Sequence, residues 1–166
     1  MIKMILCTDK NNGIGYNGSI PWHSKPDFKH FKESTMNHPV VMGFKTFESL
    51  NKKPLPDRFN VVYIPSGRMV PKDEGNGIVY MNDKDLNKFI SELQRVETDV
   101  YIIGGVTMYE KFVSVADMII KSTVNGDFHC DRFFDINAHG IEFVVQSSKV
   151  LSDNTLVEYF VRKTDV

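Results

Sequence analysis

The sequence is poor in most of the features that would fix its class at a glance. Its 166 residues include only two cysteines, Cys7 and Cys130. They form no CxxC pair and lack the close Cys/His spacing of a structural zinc site, which argues against a disulfide scaffold and a zinc module alike. Both thiols are expected to be free, in a reducing compartment. The five histidines, at 23, 30, 38, 129 and 139, form no HExxH pair, and no metal is expected. Neither sign of charge dominates: 20 basic residues against 21 acidic ones leave a net charge of -1, no field for gathering nucleic acid or anionic membrane. No apolar run approaches the roughly 20 residues that cross a bilayer. The N-terminal MIKMILCT is short, is interrupted by Lys3 and precedes no small-residue cleavage site. There is no internal repeat, no linker and no G-x-S-x-G elbow, so a hydrolase triad lacks local support. What remains is a chain of 42% hydrophobic and 25% charged residues. It is expected to be a cytoplasmic single domain over 1–166, a monomer that binds a small molecule.

The chain is punctuated as an α/β protein. Ile2 to Thr8 is an apolar run halted by Asp9, Asn11, Asn12 and Gly13, the pattern of a buried first strand entering a loop. "SKPDFKHFKEST" opens with Ser24 as N-cap, places Pro26 in the first turn and sets Phe28 and Phe31 three apart, which predicts a helix. "PVVM" and "NVVYI" read as strands with a short helix, "FKTFESL", between them, and "IVYM" as another strand. Leu86, Phe89, Ile90 and Leu93 repeat at helical spacing. "VYIIGG" followed by "VTMYEKFV" is a strand, a glycine pair and a helix, and "MIIKSTV" is one more strand. The last two strands flank the turn signal Ser152-Asp153-Asn154, and residues 65–77 read as an exposed loop.

Asp27 is the first candidate for chemistry. It lies in the first turn of the predicted helix beside aromatic residues, where a carboxylate can take two parallel N–H donors from a flat heterocycle. Ser24-Lys25-Pro26-Asp27 also fits the capping pattern [ST]-x-x-[DE], so local sequence leaves a plain helix-start acid open. Gly104-Gly105 sits where a buried strand enters a helix, a position suited to phosphate, although "GGVTMY" is not G-x-G-x-x-G.

Taken together, "IGYNGSIPW", the following Asp27, "PVVMGFKTFESL", "PLPDRFNVV", "VYIIGGVTMYEKF" and "IIKSTVNGDFHCDRFF" resemble the dihydrofolate reductase family in order and spacing over essentially the whole chain. The resemblance implies a three-layer α/β fold, a mixed and mostly parallel eight-stranded sheet flanked by helices, with a C-terminal β-hairpin. It also implies reduction of 7,8-dihydrofolate with NADPH and binding of folate-analogue inhibitors. Asp27 matches the sole ionisable group that holds the pterin, with N5 protonated by water that the lid admits. Asn17, Gly18, Ser19 and Ile20 match a mobile lid, and Ile20 and Trp22 bring apolar bulk to the catalytic site. Ile5, Cys7, Phe28, Phe31, Leu50, Leu55, Ile103 and Ser122 match the substrate wall, and Arg58 matches the arginine that grips the glutamate tail. Ile14, Gly15, Lys45, Thr46, Gly104, Gly105, Val106, Thr107 and Tyr109 match cofactor positions, with a cis peptide expected between the two glycines. Phe44 stands where the family commonly has an arginine beside the 2′-phosphate, and Ile64 and Pro65 where it often has serines. Lys45 and Arg68 are the candidates to compensate, and NADPH is still expected over NADH. Two alternatives share the fold: a pyrimidine reductase of riboflavin biosynthesis and a non-catalytic folate-fold binding protein.

Overall fold

β-branched and large apolar residues fill the runs predicted as strands, and these become strands in the structure, a computed structural model that describes every residue except 73, 74 and 166. Two of the residues in the predicted 65–77 loop therefore lie outside the described residues. In chain order the elements are β1 (Ile2–Thr8), β2 (Gly13–Gly15), α1 (Lys25–Thr35), β3 (Val40–Gly43), α2 (Phe44–Ser49), β4 (Asn60–Tyr63), β5 (Ile78–Met81) and α3 (Leu86–Leu93). They continue with β6 (Val100–Gly104), α4 (Val106–Phe112), β7 (Met118–Thr123), β8 (Arg132–Phe133), β9 (Phe143–Val150) and β10 (Leu156–Arg162).

Eight strands form one sheet in the order β5-β4-β3-β6-β1-β7-β10-β9. All pairings from β5 to β7 are parallel, whereas β10 runs against both of its neighbours. The alternation of side chains along a strand assigns each sheet face its own core. On one face Ile5, Val40, Met42, Val62, Ile120 and Val157 pack with Phe31 of α1 and Phe47 of α2. On the other, Met4, Leu6, Ile102 and Ile119 pack with Leu93 of α3 and with Met108 and Phe112 of α4. The helical spacing in α3 serves this second core, with Leu93 buried and Leu86, Phe89 and Ile90 packed against it.

One element was not foreseen. β2 pairs with β8 as a separate two-stranded sheet, Gly13 opposite Phe133 and Gly15 opposite Arg132. It fastens the segment after β1 to residues more than a hundred positions later. The parallel sheet leaves the ends of β1, β3 and β6 on one edge, and the candidate site is built there.

Candidate active site

The first turn of α1 is set by its cap. Ser24 is extended (φ −125°), and its hydroxyl accepts the Asp27 N–H at 3.2 Å, so the backbone of Asp27 is spent on starting the helix. The same hydroxyl donates to Asp153 Oδ2 at 2.5 Å, pinning the helix start to the β9–β10 turn. The Asp27 carboxylate is not spent in this way. It is half-buried, and among the described residues it enters no ion pair. It faces Cys7 on β1: burial first, and then the Asp27 carboxylate, push the Cys7 thiol up, with the Trp22 side chain working weakly against them. Both readings of Asp27 therefore have a basis in the same residue, its amide spent on the cap and its carboxylate turned toward Cys7.

The substrate-wall positions gather unevenly. Ile5, Phe31, Leu50, Leu55 and Ile103 meet in one apolar cluster under α1 and α2. Ser122 is buried on β7 directly opposite Cys7. Phe28 does not join them: it is 51% exposed, its ring 5.4 Å from that of His23. The helix explains the difference, since residues 27, 31 and 35 share the stripe toward the sheet and residue 28 stands a quarter-turn away. His30 fills the space above β10, its ring 6.4 Å from that of Tyr159. Burial and then the charge of Lys149 hold it below its ordinary pKa, with the Asp27 and Glu33 carboxylates working against them.

Arg58 donates from Nε to Pro56 O at 2.9 Å and from Nη1 to Thr35 Oγ1 at 3.1 Å. It has no carboxylate partner among the described residues. Arg58 lines a depression of about 570 Å³ together with His38 and Phe59.

The glycine pair closes the opposite side. The Gly104–Gly105 peptide is cis, as the resemblance implied, and Gly104 has φ +123°. A Cβ built on Gly104 would stand 3.1 Å from Tyr109 Oη and 3.7 Å from Thr46 Oγ1. Tyr109, buried on α4, donates to Ile5 O at 2.8 Å and so ties the start of α4 to β1. Val106 and Thr107 form the first turn of α4. Lys45 is exposed on α2 and Thr46 half-buried. Phe44, also on α2, is buried under two cations: the Arg68 guanidinium lies 4.4 Å and the Lys52 ammonium 5.8 Å from its ring centre. Neither cation has an ion-pair partner among the described residues.

The segment between β2 and α1 divides in two. Tyr16 and Ile20 are about half exposed, and Asn17 and Gly18 adopt positive φ in a turn closed by Tyr16 and Ser19. Trp22, by contrast, is buried against Phe128, with ring centres 5.4 Å apart, together with Val124 and Cys130. Ile20 is thus turned to solvent while Trp22 is already seated. At the base Ile14 is partly buried, and the Asp131 N–H donates to Gly15 O at 3.0 Å while its carboxylate accepts the Asn17 N–H at 3.0 Å. Sequence reasoning singled out neither Asp131 nor Phe128. Both act across more than a hundred residues, with no local pattern to mark them. Among the described residues no group of three or more His, Cys, Asp or Glu is placed to hold a metal, and no helix is long and apolar enough to cross a membrane.

Both thiols are pushed up, Cys7 as above and Cys130 by burial and then by the Asp9 carboxylate. An ordinary thiol ionises near 8.5 and reacts as the thiolate. A disulfide exchange reagent at pH 8 is therefore expected to leave both untouched in the native protein and to titrate both after denaturation. Rapid native labelling of Cys7 would contradict this placement.

The sequence model of the dihydrofolate reductase family matches residues 1–163. A dihydrofolate reductase of Ureaplasma parvum serovar 3 is 31% identical over 165 residues, 99% of each chain. A segregation and condensation protein A of Mycoplasmoides gallisepticum is 34% identical over 163 residues, but the match spans 26% of that longer protein. Among solved structures, a dihydrofolate reductase from Enterococcus faecalis complexed with NADP(H) and RAB-propyl superposes with a TM-score of 0.81 over 98% of this chain and 96% of its own, at 24% identity. Matched nearly end to end by the family and by a full-length relative, the chain belongs to the dihydrofolate reductase family.

Proposed function

We propose that this protein reduces 7,8-dihydrofolate to 5,6,7,8-tetrahydrofolate with NADPH, supporting one-carbon metabolism and thymidylate synthesis. The observation that carries this reading is the Asp27 carboxylate, free of any ion pair among the described residues, turned toward Cys7 and one helical turn before Phe31 of the apolar cluster. Family membership supports it.

The residues present fit the dinucleotide. Gly104 leaves backbone uncovered where a Cβ would crowd Tyr109, and the Thr46 hydroxyl faces the same space. Arg68 and Lys52, spread over Phe44 one strand further out, offer unpaired positive charge for a 2′-phosphate in place of the arginine and serines that are absent. NADPH, when bound, supplies the hydride. Asp27 accepts two N–H groups of the pterin and fixes its orientation. Ile5, Phe31, Leu50, Leu55 and Ile103 cover its apolar surface, and Arg58 takes the carboxylate of the glutamate tail through its spare N–H donors. Trp22 seals the inner end, while the exposed turn at 16–20 admits the water that protonates N5 and then excludes the rest. The same reading makes the protein a cytoplasmic monomer acting as one unit, and its two free thiols fit a reducing compartment.

Cofactor oxidation in the presence of 7,8-dihydrofolate, and not of a ribosylamino-pyrimidine, is the test. It separates this reading from a riboflavin-pathway reductase and from a silent binding protein. NADPH is expected to exceed NADH in kcat/KM by at least about tenfold, and Arg68→Ala to remove most of that preference. Equal values for the two cofactors in the unaltered protein would overturn the assignment of the cations over Phe44.

A further inference from the structure

Asp9 is a carboxylate that the reaction above does not use, yet it is 1% exposed and fully engaged. Its Oδ1 accepts the N–H of Asn11 at 2.9 Å and of Gly13 at 2.8 Å. Its Oδ2 accepts the Phe128 N–H at 3.1 Å and the Cys130 thiol at 3.6 Å. No cation pairs with it among the described residues, so three backbone N–H groups and one thiol hold a buried charge in place.

The two oxygens serve two different walls. Oδ1 holds the turn that leads into β2, whose Gly15 is tied through Asp131 to Asn17 in the exposed turn. Oδ2 holds Phe128, whose ring meets Trp22 edge-on at 5.4 Å. The fit around the carboxylate is tight: a Cβ on Gly13 would lie 2.5 Å from Cys130 and 2.9 Å from Asp9 Oδ1. We infer that Asp9 is a positioning residue of the reductase, one carboxylate that locks the base of the lid and the Trp22 wall into a single body. The inference rests on the reading of the site given above. It extends that reading to a residue that touches neither substrate nor cofactor.

Asp9→Asn tests it selectively, because the amide keeps one acceptor oxygen and turns the other into a donor, which faces N–H or S–H groups on whichever side it takes. Trp22 is the sole tryptophan, so intrinsic emission reports on the wall directly. In the variant, Trp22 emission is expected to shift to the red, and single-turnover hydride transfer to fall about tenfold or more with KM for dihydrofolate little changed. A Leu93→Ala variant, on the far side of the sheet and compared at equal loss of Tm, is expected to keep both wild-type properties. Wild-type emission and transfer rate in Asp9→Asn, or the same losses in Leu93→Ala, would overturn the inference. Because emission is read without turnover, a failure of the reductase assignment itself stays distinguishable. Should Asp9→Asn not fold, hydrogen exchange in the unaltered protein decides. The amides of Asn11, Gly13 and Phe128 are expected to open together with one protection factor, and independent exchange would contradict a shared clamp.

Discussion

Asp27→Asn is expected to lower kcat/KM for dihydrofolate at neutral pH by about 10²- to 10³-fold, a loss of roughly 3–4 kcal/mol of transition-state stabilisation. The amide is nearly isosteric but can accept only one of the two pterin N–H groups and would set a donor against the other. It also removes the single negative charge that favours a protonated ring. The fold is expected to survive, because the part of Asp27 that builds structure is its N–H, bonded to Ser24 Oγ, and that bond does not involve the carboxylate. The neighbouring Cys7 thiol is neutral, because burial pushes it up, so no buried charge is left unpaired when the carboxylate becomes an amide. Steady-state kinetics and thermal melts on the same preparation check both halves. Full activity, or collapse of the fold, would each contradict the division of labour between amide and carboxylate.

Gly104→Ala is the second large effect. The residue adopts φ +123°, where an L side chain is strained by about 1–3 kcal/mol, and the new methyl would press on Tyr109 at 3.1 Å from Oη and 3.4 Å from Cζ. Tyr109 has little room to yield, since it is buried and its hydroxyl satisfies Ile5 O at 2.8 Å. Displacing it leaves a buried carbonyl unpaired, at a cost of about 1–3 kcal/mol. Relief by backbone rotation instead moves Gly105 and the first turn of α4. Both routes disturb the cofactor side, so affinity for NADPH is expected to fall on the order of tenfold to a hundredfold together with a lower Tm. Gly67→Ala provides the contrast, because that glycine also has positive φ but no atom within 4 Å of the added methyl. It should cost stability modestly and leave cofactor affinity unchanged. A Gly104→Ala protein with wild-type affinity and Tm would refute the close approach.

The sheet was legible because its strands are short β-branched runs separated by turn residues, and α3 because four apolar residues keep one helical stripe. The hairpin followed from Ser152-Asp153-Asn154, where Asn154 does take positive φ. The small β2–β8 sheet was not legible: two and three residues carry no periodicity, and what holds them is pairing between Gly13 and Phe133 across the chain. At the site, Asp27 and Phe31 stand one helical turn apart on α1, while Phe28, matched to the substrate wall by resemblance, is exposed and lies outside the apolar cluster that holds Phe31. Trp22 was matched to the catalytic site beside the lid, but no local pattern marked its packing partner, Phe128, 106 residues further on. Asp9 looked like a strand-ending loop acid because two of its four donors lie more than a hundred residues away. Arg68, in a loop without pattern, gained a defined place only through the ring of Phe44.

Everything here turns on whether the Asp27 carboxylate is what holds the pterin ring. The most direct measurement is a titration of dihydrofolate against Trp22 emission in the unaltered protein and in Asp27→Asn, at neutral pH without cofactor. Saturable quenching in the first, with a Kd at least about tenfold weaker in the second, is the predicted result. Equal dissociation constants for the two proteins would contradict it.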